Sequence, residues 1–217
     1  MLPTSLLSAS VVLGVLICLP VRGAEVCPEA GIAAALRQPS PLDALRVCLP
    51  EAVGGVERAR VLAELPARGR VLALDGEAER KLAAVREILG ILGRREVYEI
   101  VVIDVAQFCV ALHARTVLLI SLPALTALTA SELQAMAAHE LGHELLWGSQ
   151  RRRETELLCD RIGIAILEEA RVAPGHLYRA LEKGQRFNAE RFGPMENEAD
   201  YPTLAERRAV ILAGRRR

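Results

Sequence analysis

Apolar residues recur at helical spacing through Leu82, Val85, Ile88, Leu89 and Leu92, so the segment from Glu77 to Leu92 is predicted to be an amphipathic helix. The period then changes. Val97 to Val105, Phe108 to Leu112 and Thr116 to Ser121 are short runs rich in Val and Ile, separated by turn-like positions, and are predicted to be strands. Asp104, Gln107, His113 and Arg115 interrupt the apolar stretch from Ile100 to Leu128. A buried helix there would carry unpaired polar groups, so the whole stretch is expected to be sheet with one edge open to a ligand. Beyond it the helical period returns. Thr129 with Glu132 three residues on is a capping-box pattern, predicting a helix from Ala130 to Trp147 that ends at Gly148-Ser149. Further helices are expected from Arg151 to Ala170, from Gly175 to Lys183, and from the Thr203/Glu206 capping pattern to Gly214. Upstream, residues 25 to 70 are cut into short helices by Pro28, Pro39, Pro41, Pro50, Gly54-Gly55 and Pro66. The pattern predicts an α+β protein, mainly helical, with a small three-stranded sheet ahead of one long helix.

The amino-terminal pattern is different again. Leu6 to Leu19 is an apolar run broken only by Ser8 and Ser10, short of the roughly 18 residues needed to span a bilayer but the length of a signal-peptide core. Pro20 and Val21-Arg22-Gly23 follow, which places a cleavage site near Gly23 or Ala24. The expected organisation is a signal peptide over residues 1–23, a helical segment over 24–75 and the main domain over 76–217. The expected location is periplasmic or secreted, with an uncleaved membrane anchor as the alternative.

With the leader removed, Cys27, Cys48, Cys109 and Cys159 remain, an even number that suits an oxidising compartment. Cys27 and Cys48 are the expected disulfide pair; closing a loop of about 20 residues is worth roughly 3 kcal/mol in the chain-entropy model. Cys109 and Cys159 lie in apolar surroundings and are expected to be free, buried thiols. Over the 217 residues 52% are hydrophobic and 3% aromatic, so Leu, Ala and Val must fill the core. Lys and Arg number 27 and so do Asp and Glu, which removes the electrostatic argument for nucleic acid.

The chemistry is concentrated in His139-Glu140-Leu141-Gly142-His143, inside the long predicted helix. Residues four apart lie on one helical face, so both imidazoles can offer a nitrogen to one ion, most simply Zn2+. Glu140 projects beside that face, where a carboxylate can take a proton from a water activated by the ion. A catalytic zinc needs a third protein ligand. Glu154, Glu156 and Asp160 on the next helix are the candidates. If Glu156 is the ligand, Asp160, four residues on, is placed to accept a hydrogen bond from the free nitrogen of His139 and fix its tautomer. Glu154 and Glu144 are expected to be solvent-facing, and His113 is expected not to be a ligand.

Ala138-His139-Glu140-Leu141-Gly142-His143-Glu144, Glu156-Leu157-Leu158-Cys159-Asp160 and Tyr201-Pro202 with Arg207 together resemble the zinc metallopeptidases related to HtpX and the CAAX prenyl proteases. The resemblance spans about residues 70 to 215. It implies a zincin-like gluzincin with one zinc ion held by His139, His143 and Glu156, Glu140 as general base, and Asp160 and Arg207 behind the ligands. It implies an endopeptidase whose substrate, an extended peptide or unfolded exported protein, adds along a sheet edge, the strand around Phe108 to Ser121. The alternative is a non-catalytic, zinc-stabilised scaffold that binds peptides or a partner by the same edge. This chain departs from the family in a shorter gap between His143 and Glu156, in Cys159 where a small Ala is usual, and in Tyr201 where a His usually precedes the proline. Tyr201 is either the donor to the developing oxyanion or a ring packed against the last helix, with His176 as the other candidate donor.

Overall fold

The structure, a computed structural model, describes residues 27–65, 69–71, 73–149, 152–193 and 200–213; the expected signal peptide lies outside the described residues. It is mostly helical, at 62%, with a small three-stranded mixed sheet, and so belongs to the α+β class. None of the described helices is long and apolar enough to cross a membrane.

Two short helices, α1 (Glu29–Ala35) and α2 (Pro41–Val47), form a hairpin closed by the Cys27–Cys48 disulfide. Ile32 and Leu45, both fully buried, join the same core cluster as Leu82, Ile88, Leu141 and Ile162, so the amino-terminal hairpin packs on the rest of the fold. Helix α3 (Gly55–Glu64) leads to α4 (Gly76–Ile91), which Asp75 caps by accepting a hydrogen bond from Ala78 N at 2.8 Å.

The sheet follows: β1 (Glu99–Ile103), β2 (Val110–His113) and β3 (Val117–Ser121), in spatial order β1-β3-β2. β3 is therefore the central strand, parallel to β1 and antiparallel to β2. The edge expected over Phe108 to Ser121 is β2 alone, because β3 is paired on both sides. The outer side of β1 is partly met by Gly69 to Val71, where Val71 N donates to Val102 O at 3.0 Å. The β2–β3 hairpin turns through Ala114 and Arg115, both at positive φ (48° and 53°), a conformation more usual for Asn-Gly.

Two elements correct the sequence reading. The apolar stretch does not remain sheet to Leu128: α5 (Leu122–Ala127) starts directly after β3. Ser121 Oγ accepts from Ala124 N at 3.2 Å and Pro123 stands in the first turn, so capping chemistry overrides the strand-like composition. The helix expected to stop at Lys183 is α8 (Gly175–Phe192), which continues to Gly193 at φ 83°. Gly184 does not break it; a Cβ there would lie 2.9 Å from the Phe108 ring, so this glycine serves packing.

The centre of the fold is the antiparallel pair α6 (Ala130–Leu145) and α7 (Arg152–Glu169), with α4 and α8 against α6 and the last helix, α9 (Leu204–Ala213), against α7 and α8. α6 begins with the full capping box, Thr129 and Glu132 each bonded to the other's backbone. Glycines on opposite helices let the backbones close. A Cβ on Gly142 would stand 2.7 Å from Cys159 Cα, and one on Gly163 would stand 3.2 Å from His139 N.

Candidate metal centre

His139 and His143 project from the same face of α6 with ring centroids 5.0 Å apart, edge to face. Together with Glu140 they form a buried group whose ligand atoms all lie within 4.8 Å of one another, a group that could hold a metal ion. Glu156 enters from α7. Its Oε2 is 3.3 Å from His139 Nε2 and its Oε1 is 3.5 Å from His143 Nε2, so one carboxylate faces both imidazoles.

Of the three carboxylates near the histidines, Glu140, Glu156 and Asp160, Glu156 is the one aimed at their Nε2 atoms. Glu140 is tethered elsewhere: its Oε2 accepts a hydrogen bond from Leu112 N of β2 at 3.0 Å. That bond also defines the sheet edge. Leu112 N–H points away from β3, and the alternation of an antiparallel strand places the outward groups of Val110 on the same free side. Among the described residues no strand pairs with the outer side of β2, and that side runs alongside the motif helix.

Behind His139 stands a second layer. Asp160 Oδ1 is 3.0 Å from His139 Nδ1, and Arg207 of α9 grips the same carboxylate with Nε to Oδ2 at 2.9 Å and Nη2 to Oδ1 at 2.7 Å. Arg207 Nη2 also comes within 3.3 Å of His139 Nδ1 because both share Oδ1. The carboxylate is the acceptor, so Nδ1 carries its proton and Nε2 is free for a cation. Arg207 Nη1 lies 3.6 Å from Glu156 Oε2.

The electrostatics follow from these contacts. Burial opposes protonation of His139, but the hydrogen bonds to Asp160 and Glu156 outweigh it and lift its pKa to about 9. Burial likewise works against ionisation of Glu156, yet the His139 hydrogen bond and the neighbouring imidazoles bring its pKa down to about 2. Asp160 overcomes burial in the same way through His139 and Arg207 and stays below the usual carboxylate range. Glu140 differs: burial dominates, and its pKa is raised. At neutral pH the metal-free His139 is therefore an imidazolium whose Nε2 faces Glu156 Oε2, and a cation there would displace its proton. Two imidazole nitrogens and one carboxylate oxygen converging in a partly buried site are a donor set that fits a borderline divalent ion.

The other expected site residues are placed as follows. Glu154 is exposed. Glu144 is not: its side chain is 1% exposed and paired with the buried Arg94, whose Nη2 lies 2.9 Å from Oε1. The expectation of a solvent-facing Glu144 missed a partner 50 residues away. Tyr201 packs its ring under the Arg152 guanidinium at 5.9 Å, one turn of α7 before Glu156. Among the described residues no hydrogen bond joins its phenol to the histidines. His176 stands in the first turn of α8, its Nδ1 2.7 Å from Arg179 Nη2, and the charges it feels are those of Arg179 and of Glu132 at the start of α6. His113 closes β2 at the hairpin.

Three contributors lay outside the sequence reading: Leu112 N, the Gly142/Gly163 pair, and Cys159, whose Sγ is 3.5 Å from His143 Nδ1. The glycines did carry a signal, since a glycine inside a helix costs about 1 kcal/mol against Ala and usually marks a close approach. Comparison with known proteins returned no matching family model and no matching curated sequence.

Proposed function

We propose that the chain is a zinc-dependent endopeptidase of the zincin-like, HtpX and CAAX prenyl protease type, exported through residues 1–23 and acting on unfolded or extended segments of exported proteins. The observation that carries this reading is the convergence of His139 Nε2, His143 Nε2 and the Glu156 carboxylate beside Glu140, under the free edge of β2. The Cys27–Cys48 disulfide supports an oxidising compartment.

In this reading His139, His143 and Glu156 hold one zinc ion. Zinc bound there would polarise the scissile carbonyl and make an adjacent water acidic. Glu140 keeps one oxygen on Leu112 N and leaves the other to accept the water's proton and return it to the leaving amine. Its raised pKa suits a group that must both take and release a proton. An extended peptide pairs with Val110 and with the carbonyl of Leu112, since the amide of Leu112 is already engaged. Such pairing selects extended backbone over particular side chains. Tyr201 is assigned to the oxyanion; Tyr201→Phe lowers kcat with little change in KM if that assignment is right.

Replacement Glu140→Gln tests the reading. The variant should bind zinc like the wild type and lose cleavage of unfolded casein. Zinc-loaded wild type that leaves casein intact would instead identify a peptide-binding scaffold.

A further inference from the structure

The two histidines are held from behind by unlike chemistry. His139 Nδ1 faces the Asp160 carboxylate at 3.0 Å, whereas His143 Nδ1 faces Cys159 Sγ at 3.5 Å. Cys159 is fully buried, and its place is fixed by the close approach of α7 to Gly142, where an added Cβ would be 3.0 Å from Sγ. No other side-chain partner of His143 Nδ1 occurs among the described residues.

We propose that Cys159 is the positioning residue of His143, a hydrogen-bond partner able to serve that imidazole in both its metal-bound and its metal-free state. The inference rests on the reading of His143 as a metal ligand. With a cation on Nε2, the imidazole proton must sit on Nδ1, and the thiol sulfur accepts it. In the metal-free chain Nε2 faces Glu156 Oε1 at 3.5 Å, which draws the imidazole proton to Nε2. The thiol then turns its S–H toward Nδ1. A carboxylate or carbonyl in that place could only accept, and would hold the proton on Nδ1 in both states. An alanine would remove that partner from Nδ1. The pair therefore has division of labour: His139 is locked by Asp160 and Arg207, and His143 adapts.

The test uses the full chain with Cys159→Ala and Cys159→Ser. Zinc affinity is measured by competition with a chromophoric chelator, and the imidazole tautomers of the zinc-free protein by long-range proton–nitrogen NMR. Cys159→Ala should weaken zinc about tenfold, at the low end for lost outer partners because sulfur bonds weakly, and should alter the His143 nitrogen shifts while sparing those of His139. Cys159→Ser, whose hydroxyl also donates and accepts, should restore both. An alanine variant matching wild type in affinity and in His143 shifts shows that the thiol only fills space and overturns the proposal. If Cys159→Ala does not fold, a folded serine variant with weakened zinc and disturbed His143 shifts overturns it, and one matching wild type supports it. Wild type that binds no zinc removes the metal reading alone; the zinc-free spectra of the variants then still decide the hydrogen bond.

Discussion

Arg207 meets Asp160 fork to fork, two guanidinium nitrogens on two carboxylate oxygens at 2.9 and 2.7 Å, and one of those oxygens is the acceptor for His139. A residue of the last described helix thus sets the orientation of an imidazole 68 positions earlier. Lysine can supply the charge but not the planar fork. Arg207→Lys is expected to lower zinc affinity by about 10- to 100-fold, and Asp160→Asn by a similar factor. Chelator competition measures both; affinities unchanged in the two variants would show that His139 needs no outer brace.

The metal-free site is held by protons, and its stability depends on pH. His139 at about 9 stands above the free imidazole value of 6.5, so its contribution is complete below pH 6.5 and is lost as pH rises through 9. Glu156 at about 2 stands below the ordinary carboxylate value of 4.5, so its contribution is complete above pH 4.5 and is lost as pH falls through 2. Both shifts describe one interaction and are not added. Thermal unfolding in a chelating buffer should therefore show this pair's full support between about pH 4.5 and 6.5, with Tm declining toward pH 9 relative to His139→Gln. Zinc must displace the His139 proton, so its apparent affinity should rise close to tenfold per pH unit below 9. A zinc affinity flat between pH 6.5 and 8.5 would contradict this.

Gly142→Ala should destabilise the α6–α7 contact. The new methyl would stand 2.7 Å from Cys159 Cα, a backbone atom that cannot turn aside. Forcing α6 and α7 apart is expected to cost about 1–3 kcal/mol or more, exceeding the roughly 1 kcal/mol of helix propensity gained. Gly163→Ala, with its nearest contact at 3.2 Å, should cost less. Denaturant melts give the order, which reverses if the helices can slide.

Glu144→Gln removes the counter-charge of Arg94, which is 9% exposed and also donates to Pro50 O. Leaving a guanidinium unpaired in the core is expected to cost about 3–5 kcal/mol. Replacing both partners by apolar residues should cost less than the single change. A double-mutant cycle that shows simple additivity would mean the two groups do not interact.

The site was more legible in the sequence than the frame around it, for a physical reason. Helical periodicity is a local rule, and it puts His139, His143, Glu156 and Asp160 on defined faces from their numbers alone. Contacts between distant segments obey no such rule. Glu144 and Arg94, Leu112 and Glu140, and the glycines at the α6–α7 contact are meetings of surfaces far apart in the chain. The strand-like composition before α6 misled for a related reason, since Ser121 and Pro123 set a helix start that outweighs the residues after it. The choice of β2 as the open edge depends on strand order, which short apolar runs do not encode.

The Glu29 carboxylate accepts from Ser149 Oγ at 2.5 Å, and that hydroxyl is in turn 2.6 Å from Thr155 Oγ1, one residue before Glu156. The disulfide-closed hairpin is therefore stapled through Ser149 to Thr155 in the first turn of α7, next to Glu156. A thiol reductant reaching Cys27 and Cys48 would loosen a fastening rather than a ligand, and ion capture would soften at a distance from any chemistry performed on the ion itself.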